Sequence, residues 1–109
     1  MGMVVKRFEV YWVNLDPTVG SEIRKTRPCV VISNNEANRG LNTVIIAPFT
    51  STTKDYPTWI RTNFMQRNGC INLDQIRSVD KSRLQKKIGV INAETKFLVL
   101  QTLQEMFEE

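Results

Sequence analysis

The chain is 109 residues long, 41% hydrophobic and 24% charged, with a net charge of +4 and a pI of about 9.3. That length supports one folding unit, residues 1–109, with a small core of the kind a dimer interface often reinforces. The basic balance suits a polyanionic partner. No apolar run approaches the length of a membrane span, so no membrane partner is expected and a cytoplasmic location is.

Histidine is absent, which removes the commonest acid–base group and the commonest metal ligand. The two cysteines, Cys29 and Cys70, lie far apart with no CxxC pairing; they argue against a zinc site and read as buried, reduced thiols. Any enzyme built from this chain must therefore work without histidine, and neither metal nor cofactor is expected. The opening "MGMVVKRFEV" lacks the apolar segment and cleavage site of a signal peptide, and Lys6 stands where a myristoylation signal needs Ser or Thr.

In chain order, residues 7–15, "RFEVYWVNL", are aromatic and β-branched with partial alternation, and predict a first strand. "DPTVG" predicts a turn, in which Gly20 permits an unusual backbone angle. Arg27 precedes Pro28 and is pushed into extended geometry, and "CVVIS" (29–33) predicts a strand buried on both faces. "NNEANRG" is a polar connection with room for one helical turn. "NTVIIAPFTS" predicts a third strand, and Pro48 near its end predicts an edge or a bulge. After the loop "TTKDYP", "TWIRTN" and "GCINLDQIRSVD" predict two more strands around a turn at "QRNG", and a short strand follows near 88–91. From Asn92, an N-cap, the sequence turns helical, with Val99, Leu100, Leu103, Met106 and Phe107 on the face expected to pack on the core. Five or six short strands and one terminal helix, without βαβ alternation, predict a mainly β fold: a small, partly open barrel with a helix packed on it.

Four groups of residues can carry chemistry. Arg24, Lys25 and Arg27 crowd the loop before the second strand. Arg27, held extended before Pro28, suits bidentate phosphate binding, and an exposed ion pair with Glu22 or Glu36 is the alternative. The hydroxyls of Thr50, Ser51, Thr52 and Thr53 end the third strand, where they form a plain Ser/Thr turn or else meet a phosphate or ribose. Asp74 and Gln75 interrupt an apolar run in mid-strand, so they face either a structural network at the barrel mouth or a ligand groove. Lys81, Arg83, Lys86 and Lys87 form a second basic stretch, either solvated or, with Arg24, Lys25 and Lys54, lining a polyanion groove.

Three stretches in order, "WVNLDPTVGSEIRKTRPCVVIS", "NRGLNTVIIAPFTS" and "LDQIRSVDKSRL", closely resemble the MazF/PemK family of toxin endoribonucleases, and the resemblance runs through nearly the whole chain. It implies an SH3-like barrel with a C-terminal helix, a homodimer, cleavage of single-stranded RNA without a metal, and inhibition by a cognate antitoxin. Residue by residue, it makes Arg27 and Thr50 catalytic, places Glu22, Ser51 and Ser21 in the same pocket, and sets Asp74 and Gln75 beside the RNA groove. Part of the PemK branch carries an arginine just upstream of that aspartate. Here the stretch reads Asn72-Leu73, so on this reading Arg27 serves alone. The same reading assigns Arg24, Lys25 and Lys54 to RNA binding, and the basic groove suits an acidic antitoxin.

RNA carries its own nucleophile, the 2′-hydroxyl, so orientation and charge stabilisation are the tasks left to the protein. The expected products are a 2′,3′-cyclic phosphate and a 5′-hydroxyl, with Glu22 or Asp74 as the base. Two rivals predict that RNA stays intact: a CcdB-like toxin acting on a protein target such as gyrase, and a non-cleaving SH3-like RNA-binding module.

Overall fold

The computed structural model describes residues 3–109. Seven strands form one antiparallel, curled sheet: β1 (Glu9–Asn14), β2 (Thr26–Val31), β3 (Thr43–Thr50), β4 (Trp59–Phe64), β5 (Arg67–Asn72), β6 (Arg77–Asp80) and β7 (Leu84–Val90). A short helix, α1 (Asn35–Gly40), links β2 to β3, and α2 (Ala93–Met106) follows β7. Six strands run in the order β4-β5-β3-β2-β1-β7, and β6 pairs with β3 off that path. The end strands β4 and β7 share no ladder among the described residues, so the half-barrel stays open along one seam. Phe64 of β4 packs there where a side chain on Gly89 of β7 would stand.

The sheet buries both of its faces, as the run "CVVI" requires. Cys29 and Val31 join Tyr11, Val13, Val44, Ile46 and Val79 on one side. Val30 and Ile32 join Val10, Ala47, Phe49, Ile71 and Val99 on the other. Each such aliphatic side chain contributes about 1.5–3 kcal/mol when fully buried. The second core is capped by α2, whose start is fixed by Asn92: its side chain accepts from the Thr95 amide at 2.8 Å.

Four expectations need correction. Pro48 lies not at an edge but inside β3, the strand that pairs with β2, β5 and β6. It is tolerated because β6 pairs with Thr43–Ile46 and β5 with Phe49–Thr50, leaving Pro48 at the changeover, where no ladder bond is asked of it on that side. The stretch 69–80 is not one strand: β5 ends at Asn72, a 3₁₀ turn spans Leu73–Gln75, and β6 returns along the other half of β3. Asp74 and Gln75 therefore sit in a turn, not in mid-strand. The last strand starts at Leu84, well before 88. On α2, Thr95, Leu98, Val99, Leu103 and Met106 face the core, whereas Leu100 is 39% and Phe107 72% exposed. Leu100 is one 100° step round from Val99, and Phe107 lies past the last helical residue.

Candidate active site

The loop between β1 and β2 is built to stand away from the sheet and lean back on it. Gly20 takes the left-handed angle expected of it (φ 59°), with open space where a side chain would be. Lys25 adopts a left-handed angle without being glycine (φ 72°), held by its amide donating to Asp16 Oδ1 at 3.1 Å and by its carbonyl accepting from the Leu15 amide. Glu22 accepts from the Val19 amide at 2.5 Å, closing a local turn. The loop is tied to the 3₁₀ turn by a single long-range bond, from the Ile23 amide to Gln75 Oε1 at 2.7 Å.

Two hollows result, one on either side of the end of β3. The first, about 340 Å³, is lined by Leu15, Ser21, Glu22, Ile23, Pro48, Asp74, Gln75, Ile76 and Arg77. The second, about 460 Å³, is lined by Trp12, Lys25, Thr26, Arg27, Pro28, Phe49, Ser51, Phe64, Met65, Arg67 and Ile88. Ser21, Glu22, Asp74 and Gln75 thus come together in one hollow, and Arg27, Ser51 and Lys25 in the other. Thr50 lies between Pro48 and Ser51 on the dividing strand; Arg24 and Lys54 line neither hollow.

The strand register joins the two groups. The β2–β3 ladder ends at Cys29 opposite Pro48, and extending it by two residues sets Arg27 opposite Thr50. Both then share the face of Cys29 and Pro48. Thr50 is fixed from the far side by pairing with Cys70, and Gly69 beside it is obligatory: an added Cβ would strike the Thr50 carbonyl and the Phe49 ring. The Thr50 hydroxyl oxygen accepts from the Thr52 amide at 3.3 Å, a Ser/Thr turn that leaves its O–H free to donate. Arg27 Nε donates to the Arg24 carbonyl at 3.1 Å, and no carboxylate, Glu22 and Glu36 included, pairs with it among the described residues. Beneath them, burial pushes the Cys29 thiol up to about 12 while the charges of Arg77 and Arg27 pull the other way, so the thiol stays protonated and inert.

The second basic stretch does different work. Lys87 is paired at 2.6 Å with the buried Glu9, whose other oxygen accepts from the Lys6 amide and the Tyr11 hydroxyl. Arg83 donates to the Asn14 and Asp16 carbonyls, and Lys81 to the Asn38 carbonyl. Those three cations brace the fold, and none of them lines either hollow. Sequence reasoning passed over Arg77, which lines the first hollow, and the platform of Trp12, Phe64, Met65 and Arg67 in the second. The arginine was readable as the apolar-facing position two before Val79 in "DQIRSV". The platform depends on the curl that brings β4 to β1 and has no local signal. Among the described residues, no three His, Cys, Asp or Glu side chains converge as a metal site would require.

A curled antiparallel half-barrel with guanidinium, hydroxyl, carboxylate and carboxamide groups around one strand end has the character of a histidine-free nuclease. Residues 6–107 match the family described as PemK-like, MazF-like toxin of type II toxin-antitoxin system. The chain is 38% identical over 108 residues to endoribonuclease EndoA of Bacillus subtilis, covering 94% of this chain and 93% of that one. It is 35% identical over 100 residues to endoribonuclease MazF9 of Mycobacterium tuberculosis, covering 83% and 85%. Among solved structures it superposes on MazF from Deinococcus radiodurans with a TM-score of 0.84, at 25% identity, over 96% of this chain and 97% of that one. A mycobacterial endoribonuclease solved with its cognate antitoxin shares the fold at a TM-score of 0.79 and 24% identity, over 93% and 92%. The chain belongs to this family of MazF-like endoribonuclease toxins.

Proposed function

We propose that this toxin cleaves single-stranded RNA by internal attack of the ribose 2′-hydroxyl, without a metal, leaving a 2′,3′-cyclic phosphate and a 5′-hydroxyl. The observation that supports this reading is that Arg27 and Thr50 each lie two residues beyond Cys29 and Pro48, the last pair of the β2–β3 ladder, so that continuing its register would set them opposite one another. One is an arginine with no carboxylate partner, the other a hydroxyl with a free O–H, and carboxylates line the adjoining hollow. Arg27 binds the scissile phosphate and stabilises the phosphorane. Thr50 and Ser51 orient the phosphate, and Glu22 or Asp74 takes the 2′ proton; both line the first hollow. Gln75 braces the loop through its oxygen and keeps its NH₂ free for a base edge, with Ser21 beside it. The aromatic and cationic lining of the second hollow suits a neighbouring nucleotide, with a base against Trp12 or Phe64 and phosphates near Lys25. Arg24 and Lys54, outside both hollows, steer RNA at longer range.

We further propose that the toxin is a homodimer in the cytoplasm and is neutralised by an acidic antitoxin. The uncovered apolar residues Phe97 (66% exposed) and Leu100 of α2, with Phe107 just past its end, support a protein contact there. No helix among the described residues is long and apolar enough to cross a membrane. The test is to incubate purified protein with a long single-stranded RNA in excess EDTA and map the ends. Discrete fragments with cyclic-phosphate and 5′-hydroxyl ends are expected. Intact RNA would leave a protein-directed toxin or an RNA-binding module, and cleavage abolished by EDTA would point to a metal nuclease.

A further inference from the structure

Arg77 opens β6 opposite Ile46, and Val79, two residues on, lies in the core with Val44 and Ile46. Strand alternation therefore turns Arg77 to the face of Cys29 and Pro48, where its half-buried side chain lines the first hollow beside Glu22, Asp74 and Gln75. One guanidinium nitrogen, Nη1, donates to the Leu15 carbonyl at 2.9 Å. That bond fixes the fork in place and uses one of its five N–H donors. No carboxylate among the described residues lies within salt-bridge distance of it, although two line the same hollow. Arg27 is arranged in the same way from the other side: one N–H on a backbone carbonyl and, among the described residues, the remaining fork unpaired. Arg27 lies on β2 and Arg77 on β6, the strands that pair with β3, so the two cations come to β3 from different neighbouring strands. A half-buried, braced guanidinium without an anion is a preformed site for a phosphate.

We propose that Arg77 is a second phosphate-binding residue of the active site, holding the scissile phosphodiester from the first hollow while Arg27 holds it from the second. This rests on the RNA-cleaving reading above. As the O2′–P bond forms and the P–O5′ bond breaks, the 2′ proton passes to a carboxylate and the leaving 5′-oxygen gains a proton from solvent. The phosphorane carries one more negative charge than the diester. A second fixed cation acts on that added charge, so it favours the transition state over bound substrate.

The test uses a single-stranded oligonucleotide made uncleavable by a 2′-deoxy sugar at the mapped cleavage position, with affinity measured at several salt concentrations. Arg77→Gln should flatten the slope of log affinity against log salt by about 0.7, the loss of one phosphate contact on a single strand. It should also slow cleavage of the all-ribose RNA by about 10², and Arg77→Lys should restore the slope. A wild-type slope in Arg77→Gln, whatever its rate, would overturn the proposal and leave Arg77 as a brace for Leu15. If the Gln variant fails to fold, Arg77→Met, which keeps the aliphatic stem, gives the same readout. Should the wild-type protein cleave no RNA, the functional reading falls, and the same slope comparison on the unmodified, all-ribose strand decides whether Arg77 takes a phosphate.

Discussion

Two basic regions of this molecule look alike in sequence and behave differently in structure. Along 81–87, Lys81, Arg83 and Lys87 direct their donors to Asn38, Asn14, Asp16 and Glu9. Around the end of β3, Arg27 and Arg77 each give one donor to a backbone carbonyl and, among the described residues, keep the rest free beside a hollow. The density of positive charge is similar in both places. On the proposed function, what separates a structural cation from one that meets RNA is whether its donors already have partners, and whether the fold holds it still without them.

That comparison can be broken by substitution. The largest effect is expected at Arg27: Arg27→Ala should slow RNA cleavage by about 10² to 10³, followed by gel-resolved fragment formation, with little change in melting temperature. Next comes Gly69→Ala, which forces a methyl into the Thr50 carbonyl and the Phe49 ring; a loss of about 1–3 kcal/mol in denaturant unfolding is expected, together with slower cleavage because Thr50 shifts. Lys87→Ala leaves Glu9, which is 5% exposed, without its cation, and should cost about 1–3 kcal/mol while sparing catalysis.

Acid should expose the same structural pair. Burial raises the Glu9 carboxyl, but the Lys87 ammonium, the Lys6 amide and the Tyr11 hydroxyl together outweigh it and hold the group below its ordinary 4.5. The folded state thus binds fewer protons than the unfolded chain near that pH. The stability Glu9 contributes is fully present above about pH 4.5 and is lost as pH falls through the lower folded value. Melting temperatures from pH 7 to pH 3 should fall less steeply in Glu9→Gln than in wild type. The smallest effect is reserved for Lys86, exposed and with no partner recorded among the described residues: Lys86→Ala should change stability by less than about 0.5 kcal/mol and leave cleavage as it was.

How far the sequence could be read follows from the range over which each feature is determined. The bend at Gly20 and the cap at Asn92 rest on neighbours within a few residues and appear where the residues demand, whereas the second strand, expected over 29–33, runs Thr26–Val31. Pro48 was misread because its tolerance depends on two different strands sharing one flank of β3, a property of topology that no local pattern records. The break at Leu73–Gln75 was hidden because an apolar run is compatible with a strand or with a buried turn. The same distance limit governs the site. Ser21, Glu22, Asp74 and Gln75 line one hollow and Lys25, Arg27 and Ser51 the other, while Arg24 and Lys54 line neither. Arg77 joins the first through a register that only the folded sheet supplies. On α2 the expected core face holds at Val99, Leu103 and Met106 and fails at Leu100 and Phe107, one a 100° step off that face and the other past the helix end.

The most direct measurement takes cleavage rate and melting temperature on the same preparations of Arg27→Ala and Lys87→Ala, in excess EDTA with a single-stranded RNA. A double dissociation is predicted: the first variant melts like wild type and barely cleaves, and the second melts earlier and, below its melting point, cleaves at the wild-type rate. Equal rates in wild type and Arg27→Ala, or a catalytic loss in a fully folded Lys87→Ala, would contradict the division between committed and free cations.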